Sequence, residues 1–194
     1  MRKMFKSSLI LVMLVMVCFA ASVSAAQLVL TPVDDAYVHD GEYATQNFGT
    51  ADLLNVKLET EREGFTRMFF LKFDISEVTA VQKATLRLYV VRSDVLELKQ
   101  IAFYDITGEA WSENEITWEN APRTSGTFIK DVFTDNFSNV WFEVNLTDFV
   151  KKHVEAGTKE ISIRVEHLSD HWGGIIQFAS KEAENNHPEL VITY

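Results

Sequence analysis

The amino-acid sequence predicts an all-β protein: an antiparallel two-sheet β-sandwich of the jelly-roll type with one short helix. Apolar and polar residues alternate with a period of two in short segments such as LLNVKLE, ATLRLYVV and ISIRVEHL. Such alternation indicates strands with one buried face, and turn-forming residues separate the segments. The chain after residue 26 has no cysteine, so a packed core rather than disulfides must stabilise it.

Residues 1–26 have the composition of a signal peptide. Three basic residues precede an apolar run from Leu9 to Ala21, and Val23-Ser24-Ala25 supplies the small-residue cleavage pattern. The run is shorter than the roughly 18 to 20 apolar residues of a membrane span, so we expect cleavage near Ala25 or Ala26 rather than an anchor. The predicted product is secreted or held at the cell surface, with residues 27–194 as a single domain.

About ten strands are predicted from eleven candidate segments of the mature chain, a number typical of a two-layer sandwich. The candidates are residues 27–31, 36–39, 53–59, 67–74, 84–91, 99–106, 127–133, 140–146, 160–168, 174–180 and 189–194. One helix is predicted from TDFVKKHVEAG, with Thr147 as N-cap and Gly157 after its last turn. We expect this helix to cover one end of the sandwich.

The charge balance disfavours nucleic acid as a partner. Removal of three basic residues with the signal peptide leaves 15 of the 18 Lys and Arg residues against 28 Asp and Glu, a net charge of −13. Surplus carboxylates are compatible with calcium, which binds oxygen ligands. Asp35, Asp40 and Asn47 in DDAYVHDGEYATQNFG are candidate ligands for a structural calcium ion. The alternative is that these residues only form turns.

The segment WSENEITWENAP places Trp111 and Trp118 among acids and amides. It could form a platform for stacking on sugar, a metal-binding loop or a plug that anchors a long connection to the core. Ser112 and Glu115 have the spacing of a capping box, which predicts one helical turn after Trp111. Local physical chemistry favours the core plug, because buried tryptophans commonly anchor long loops.

Five blocks of sequence together resemble the DNRLRE-type domain, also known as carbohydrate-binding module family 96. In chain order they are DDAYVHDGEYATQNFGTADLLNVK, RMFFLKFDIS, ATLRLYVV, WSENEITWENAP and QFASKEAENNHPELVITY, between about Leu30 and Tyr194. The resemblance implies a secreted β-sandwich that binds polysaccharide, with anionic alginate as the best-known ligand class. It also implies a functional basic residue at Lys57, one strand before the arginine that aligns with Arg67.

Candidate ligand-binding residues are the cations Lys57, Arg67, Lys72, Arg87 and Arg164. All except Arg67 fall on solvent-side parities of their strands, so one basic face is expected to hold glycan carboxylates. Arg67 has the parity of the buried residues of its strand, which places it at the strand mouth or beside a buried acid such as Asp35. The alternatives are scattered solubilising charges, or a neutral glycan stacked on aromatic side chains, namely Tyr43, Trp141 and Trp172.

Two further classes of function compete with polysaccharide binding. A free-standing exported module also fits a structural or adhesive subunit of the cell surface or extracellular matrix. A polysaccharide lyase would need an acid–base pair, for which the chain offers many carboxylates and His39, His153, His167, His171 and His187. The Gln-x-His and Arg-x-Glu-Leu motifs of jelly-roll alginate lyases, a nucleophile elbow and a zinc signature are absent from the sequence, so we expect no enzyme. The sequence does not define an oligomeric state.

Overall fold

The computed structural model describes residues 26–94, 98–168 and 174–194. Within these ranges it contains β1 (Gln27–Leu30), β2 (Asp34–His39), β3 (Leu53–Val56), β4 (Arg67–Asp74), β5 (Lys83–Ser93), β6 (Lys99–Asp105), β7 (Thr127–Thr134), β8 (Val140–Asn145), α1 (Thr147–Glu155), β9 (Glu160–His167), β10 (Ile176–Ala179) and β11 (Glu189–Thr193). Every candidate segment contains a strand, and the all-β prediction is confirmed. The predicted signal peptide lies outside the described residues.

The strands form two antiparallel sheets. In the first, here called the open sheet, β8 pairs with one edge of β5, while β10 and β11 pair with successive parts of its other edge. β3 then flanks β10, and β1 flanks β11. The second, here called the covered sheet, has the order β2-β4-β9-β6-β7. Most connections cross from one sheet to the other, as expected for a jelly roll.

The main core lies between the two sheets. The alternate residues Ala84, Leu86, Leu88 and Val90 of β5 are fully buried, as the period of two predicts. The rings of Phe69 and Phe178 meet across the core with centroids 5.6 Å apart. Phe149 and Val150 of α1 also belong to this core, so the helix packs against the sandwich as expected.

The N-cap prediction for α1 is wrong by one residue, because Leu146 precedes the helix and Thr147 is its first residue. Asn145 Oδ1 accepts the Thr147 backbone N–H at 2.9 Å and thereby satisfies one free donor of the first turn. The Thr147 hydroxyl instead accepts the N–H of Ala84 at 3.0 Å and ties the helix to β5. Gly157, with a φ of +70°, follows the last turn as predicted.

A second apolar cluster lies on the outer face of the covered sheet. It joins Ala36, Val38, Met68 and Phe70 of β2 and β4 to Ile106 and Ile116. The two isoleucines belong to the connection between β6 and β7, residues 106–126, which we call the tryptophan loop. Because β4 is buried on both faces, its sequence RMFFLKF is almost continuously apolar.

The tryptophan loop is a plug, as its sequence predicts, but its fully buried residues are Ile106 and Ile116, each 1% exposed, rather than the tryptophans. Trp111 and Trp118 are half-buried and pack around the same cluster. The expected helical turn is present, since the Ile116 N–H donates to the Ser112 carbonyl at 3.0 Å. The Ser112 hydroxyl also reaches the Glu115 carboxylate at 3.1 Å.

Candidate functional site

Lys57 and Arg67 face each other where the end of β3 meets the start of β4. The two residues exchange backbone hydrogen bonds of 3.0 Å and 2.8 Å, which link the open sheet to the covered sheet. Strand β3 therefore ends at Val56 rather than at the predicted residue 59. In a pair of this type the side chains project from the same side with Cα atoms about 5.5 Å apart. Two cations are thus held next to each other.

No carboxylate neutralises this pair within the described ranges. Arg67 donates to the Phe65 carbonyl at 3.1 Å, and the nearby Glu59 carboxylate is held by Arg62 at 2.8 Å. Burial, followed by the charge of Arg67, lowers the pKa of Lys57. Burial also lowers the pKa of Arg67. Burial is the first cause of both shifts, and the charges of Glu59 near Lys57 and of Asp40 near Arg67 only partly oppose it. An anion bound between the two cations would offset the remaining cost of burying them.

Aromatic rings surround the two cations. Lys57 Nζ lies 5.2 Å from the centroid of the Phe65 ring, and the Arg62 guanidinium lies 4.6 Å from the same ring. Tyr43 stacks on the His39 ring at 4.5 Å. Phe65 and Tyr43 are 39% and 38% exposed, so part of each side chain is accessible to a ligand. We call this site the basic corner and define it by Tyr43, Lys57, Arg62, Phe65 and Arg67.

A groove of about 360 Å³ lies beside the basic corner and is lined by Gly41, Glu42, Glu63, Gly64 and Phe65. Its floor depends on glycine, because a Cβ on Gly41 would come within 2.3 Å of Gly64 Cα. Glu42 and Glu63 would repel an anionic ligand in the groove. An acidic ligand is therefore expected to place its carboxylate at Lys57 and Arg67.

Two of the other predicted ligand-binding cations lie beneath the tryptophan loop. Arg164 is 4% exposed, donates to the carbonyls of Pro122 and Ser125, and stacks on Tyr104. Lys72 bonds the Asp34 carboxylate at 2.5 Å and the Trp111 carbonyl at 2.9 Å. The prediction that these cations face solvent is wrong, because the loop covers the outer face of their strands.

Arg87 lies on the outer face of the open sheet, apart from the basic corner. It pairs with Glu143 at 3.0 Å and with Glu189 at 2.5 Å, and its guanidinium lies 4.3 Å from the Trp141 ring. The prediction of one basic face that unites all the candidate cations is therefore wrong. Only Lys57 and Arg67 are brought together and left without a carboxylate partner in the described ranges.

The three candidate calcium ligands lie in different surroundings. Asp40 Oδ1 accepts the Thr66 N–H at 2.8 Å. The Asn47 amide donates to the carbonyls of Glu113 and Ile116, while its oxygen accepts the Gly49 N–H at 3.1 Å. These bonds give Asp40 and Asn47 structural roles in loops, in agreement with the turn interpretation. Asp35 is 1% exposed and lies beside other carboxylates.

The described histidines have separate structural partners. His39 bonds the Gly64 carbonyl at 3.0 Å, His153 bonds Asp105 at 2.9 Å, and His187 bonds the Ala183 carbonyl at 2.7 Å. His171 and Trp172 lie outside the described residues. Of the aromatic residues considered for a neutral glycan, Tyr43 belongs to the basic corner and Trp141 to the open sheet.

Arg62 and Phe65 were not predicted from the sequence as components of the site. Both lie in ETEREGFTR, between β3 and β4, where no periodic pattern shows which side chains meet. The available signal was the single aromatic residue in a short charged connection that joins two strands carrying candidate cations.

Across the described ranges, no helix is both long enough and apolar enough to span a membrane.

The two antiparallel sheets make this protein a β-sandwich module. The family model for carbohydrate-binding module family 96 matches residues 26–194, and the chain belongs to this family. The chain is also similar to a curated gellan lyase from a Bacillus species, with 21% identity over 205 residues. That alignment covers 98% of this chain and 8% of the lyase, so the chain matches a small part of a much longer protein.

Proposed function

We propose that this protein is a non-catalytic extracellular module that binds an acidic polysaccharide at the basic corner. The observation that carries the proposal is the adjacent pair Lys57 and Arg67, which have no carboxylate partner in the described ranges. Membership of a carbohydrate-binding family supports a glycan as the ligand. The similarity to a lyase whose name includes gellan makes an acidic polymer a reasonable first substrate class to test.

The chemistry of the corner suits a uronate sugar. The Arg67 guanidinium can bind a carboxylate through two parallel hydrogen bonds, and Lys57 adds a point charge beside it. The exposed parts of the Phe65 and Tyr43 side chains offer apolar surface to the C–H groups of neighbouring sugar residues. Together these groups would recognise both the charge and the ring of the ligand.

The acidic surface does not prevent this interaction. At physiological ionic strength the Debye length is about 8 Å, so charges farther from the ligand are largely screened. The local pair of cations then determines the potential that a carboxylate meets. Gellan and alginate both carry uronate carboxylates, whereas a neutral glucan does not, so the three polymers separate charge recognition from general sugar binding.

The test is affinity electrophoresis and calorimetry with gellan, alginate and a neutral β-glucan. Lys57→Ala and Arg67→Gln should each weaken binding to an acidic polymer by about 10- to 100-fold, since one charge-assisted hydrogen bond contributes about 1.5–3 kcal/mol. Lys159→Ala is the matched control, because Lys159 is exposed and lies outside the basic corner. Thermal unfolding of every variant establishes that the fold is intact.

Ionic strength provides an independent measurement. Lowering the ionic strength from about 0.15 M to about 0.01 M lengthens the Debye length from about 8 Å to about 30 Å. The acidic surface of the protein then repels an anionic polymer over a longer distance. Affinity that is equal in the two corner variants, the wild type and Lys159→Ala would disprove the proposed site. Equal retention of the protein on the neutral glucan and on the acidic polymers would indicate that the aromatic surfaces at Tyr43 and Trp141 bind the glycan.

A structural or adhesive role is favoured by one observation on the covered sheet. Edge strand β7 carries Phe128 and Phe133, which are 51% and 65% exposed. An edge strand with exposed aromatic residues can pair with another chain. Concentration-dependent self-association that is lost in Phe133→Lys, with no retention on any polysaccharide, would support this second function over glycan binding.

A further inference from the structure

Three carboxylates from distant parts of the chain meet beside the start of the tryptophan loop. They are Asp35 of β2, Glu113 of the tryptophan loop and Glu182 of the connection between β10 and β11, and they can present oxygens that all lie within 4.8 Å of one another. We call this set the acidic cluster. Asp35 is 1% exposed, and the Glu113 side chain is 12% exposed, so two members are shielded from solvent.

Part of the acidic cluster is satisfied by the protein itself. The Asp35 N–H donates to Glu113 Oε1 at 2.9 Å, and the Lys181 N–H donates to Asp35 Oδ2 at 2.8 Å. The Lys181 ammonium bonds Glu113 at 2.9 Å and also bonds Glu182. These contacts hold the three segments together and fix the directions of the carboxylates.

Two oxygens of the cluster are left over. Within the described ranges, Asp35 Oδ1 and Glu182 Oε2 are buried and accept no hydrogen bond. Their side chains lie within hydrogen-bonding reach of each other, although neither carboxylate can donate when ionised. A buried acceptor without a donor is costly, and two facing ionised acceptors also repel each other, so either a proton or a cation between them would stabilise the pair.

The charge of the cluster indicates which species fits. The three carboxylates carry a charge of −3 when ionised, and Lys181 reduces it to −2, which one divalent cation neutralises. Each of the three carboxylates offers one oxygen, and carboxylate oxygens are among the ligands that calcium prefers. Because the ligands come from three separate segments, they can adopt the irregular geometry that calcium accepts and magnesium does not.

We propose that Asp35, Glu113 and Glu182 form a calcium-binding site that fastens the tryptophan loop and the connection between β10 and β11 to β2. The site is distinct from the basic corner and does not depend on the ligand bound there. It retains Asp35 from the calcium ligands expected from the sequence and replaces Asp40 and Asn47 by two glutamates. The ion acts as a structural clamp between segments that no disulfide links.

The experiment uses calcium alone as the probe, first in calorimetry on the full mature chain. We expect one calcium ion per chain, and a melting temperature that rises by roughly 5 °C or more when calcium exceeds its Kd about 100-fold. Asp35→Asn and Glu182→Gln should each lower the affinity at least tenfold and abolish the rise. Glu184→Gln is the matched control, because Glu184 is an exposed acid of the same connection.

Luminescence of bound terbium, excited through nearby Trp111, gives a second readout of the site. Glu182→Gln alone decides the outcome if Asp35→Asn does not fold, because Glu182 is partly exposed. No calcium binding in the wild type would overturn the proposal. Unchanged binding in Glu182→Gln, or equal loss in Glu184→Gln, would also overturn it.

Discussion

At the residue scale, the basic side chains form two groups: those that already pair with other groups of the protein, and those that have no ion pair. Arg164 and Lys72 are already engaged by carbonyls, a carboxylate and aromatic rings under the tryptophan loop. Arg87 is paired with two acids on the open sheet. Lys57 and Arg67 have backbone and ring contacts but no ion pair in the described ranges. Only cations without an ion pair, such as Lys57 and Arg67, retain electrostatic attraction for an external anion.

Arg164→Ala should destabilise the fold without affecting glycan binding. It removes the arginine donor from the carbonyls of Pro122 and Ser125 and breaks a shielded ion pair with Glu166, so we expect a loss of about 2–4 kcal/mol in the free energy of unfolding. Urea denaturation measures this loss. Arg92→Ala is the control, since the 62% exposed Arg92 side chain should contribute less than about 1 kcal/mol. Equal losses in the two variants would contradict the assignment.

His39 should make stability depend on pH. Burial first, and then the charge of Arg67, lower its pKa below 6.5, while its Nε2–H donates to the Gly64 carbonyl and Asp40 and Glu42 act weakly in the opposite direction. The unfolded chain therefore takes up a proton before the folded chain does. The contribution of neutral His39 is fully present above 6.5 and is lost as the pH falls through the folded pKa.

The melting temperature of wild type and His39→Gln between about pH 5 and 8 measures this effect, because glutamine can still donate to Gly64 but does not titrate there. We expect the difference between the two proteins to favour the wild type least at the acidic end. A constant difference across the range would mean that His39 does not govern this part of the pH dependence.

At the scale of elements, the tryptophan loop gives the covered sheet its second core. The loop is attached at its middle by the Asn47 amide and by close contact at Gly49, where a Cβ would lie 2.1 Å from the Glu113 carbonyl oxygen. The loop in turn covers Phe70 and Met68 of β4. A long connection without regular structure is therefore held by specific polar contacts and by apolar burial.

Ile116→Ala should be more damaging than Trp118→Ala. Ile116 is 1% exposed, so its truncation leaves a cavity and should cost about 2–5 kcal/mol. Trp118 is half-buried, with Arg123 stacked on its ring at 4.5 Å, and the surface can relax around a smaller side chain. Chemical denaturation compares the two variants. A stable Trp118→Ala protein that no longer binds glycan would instead identify Trp118 as a sugar platform.

At the scale of the whole molecule, the two sheets have different relations to solvent. The covered sheet is shielded on its outer face by the tryptophan loop, while the open sheet exposes charged pairs and aromatic residues such as Arg87 and Trp141. The basic corner lies at the junction of the two sheets, and the acidic cluster joins segments at the edge of the covered sheet. Anion binding and the proposed cation clamp are thus assigned to separate residues.

Much of the fold follows from local pattern. The alternation in ATLRLYVV predicts β5 because inward residues must be apolar and outward residues need not be. The continuous apolar run of RMFFLKF also signals burial on both faces, although it does not say what covers the second face. The helix position was predicted from its apolar stripe, whereas its cap was misplaced because Asn145 and Thr147 compete for the same role.

The candidate site could be predicted only in part. Lys57 and Arg67 were identified from their strands and from resemblance to a family, and the structure brings them together. Lys72 and Arg164 were misplaced because parity gives the side of a strand on which a residue lies, and not whether another segment covers that side. Glu113 and Glu182 had no local signal as partners of Asp35.

The sequence by itself determined the all-β class, the approximate strand positions and the lack of disulfides in residues 27–194, because these properties depend on residue type and on a period of two. Tertiary structure decided which cations are free and which carboxylates meet. Asp35 contacts Glu113 across 78 residues of sequence and Lys181 across 146 residues. Contacts between such distant segments arise from the way loops pack over a completed sandwich, and no local periodicity records them.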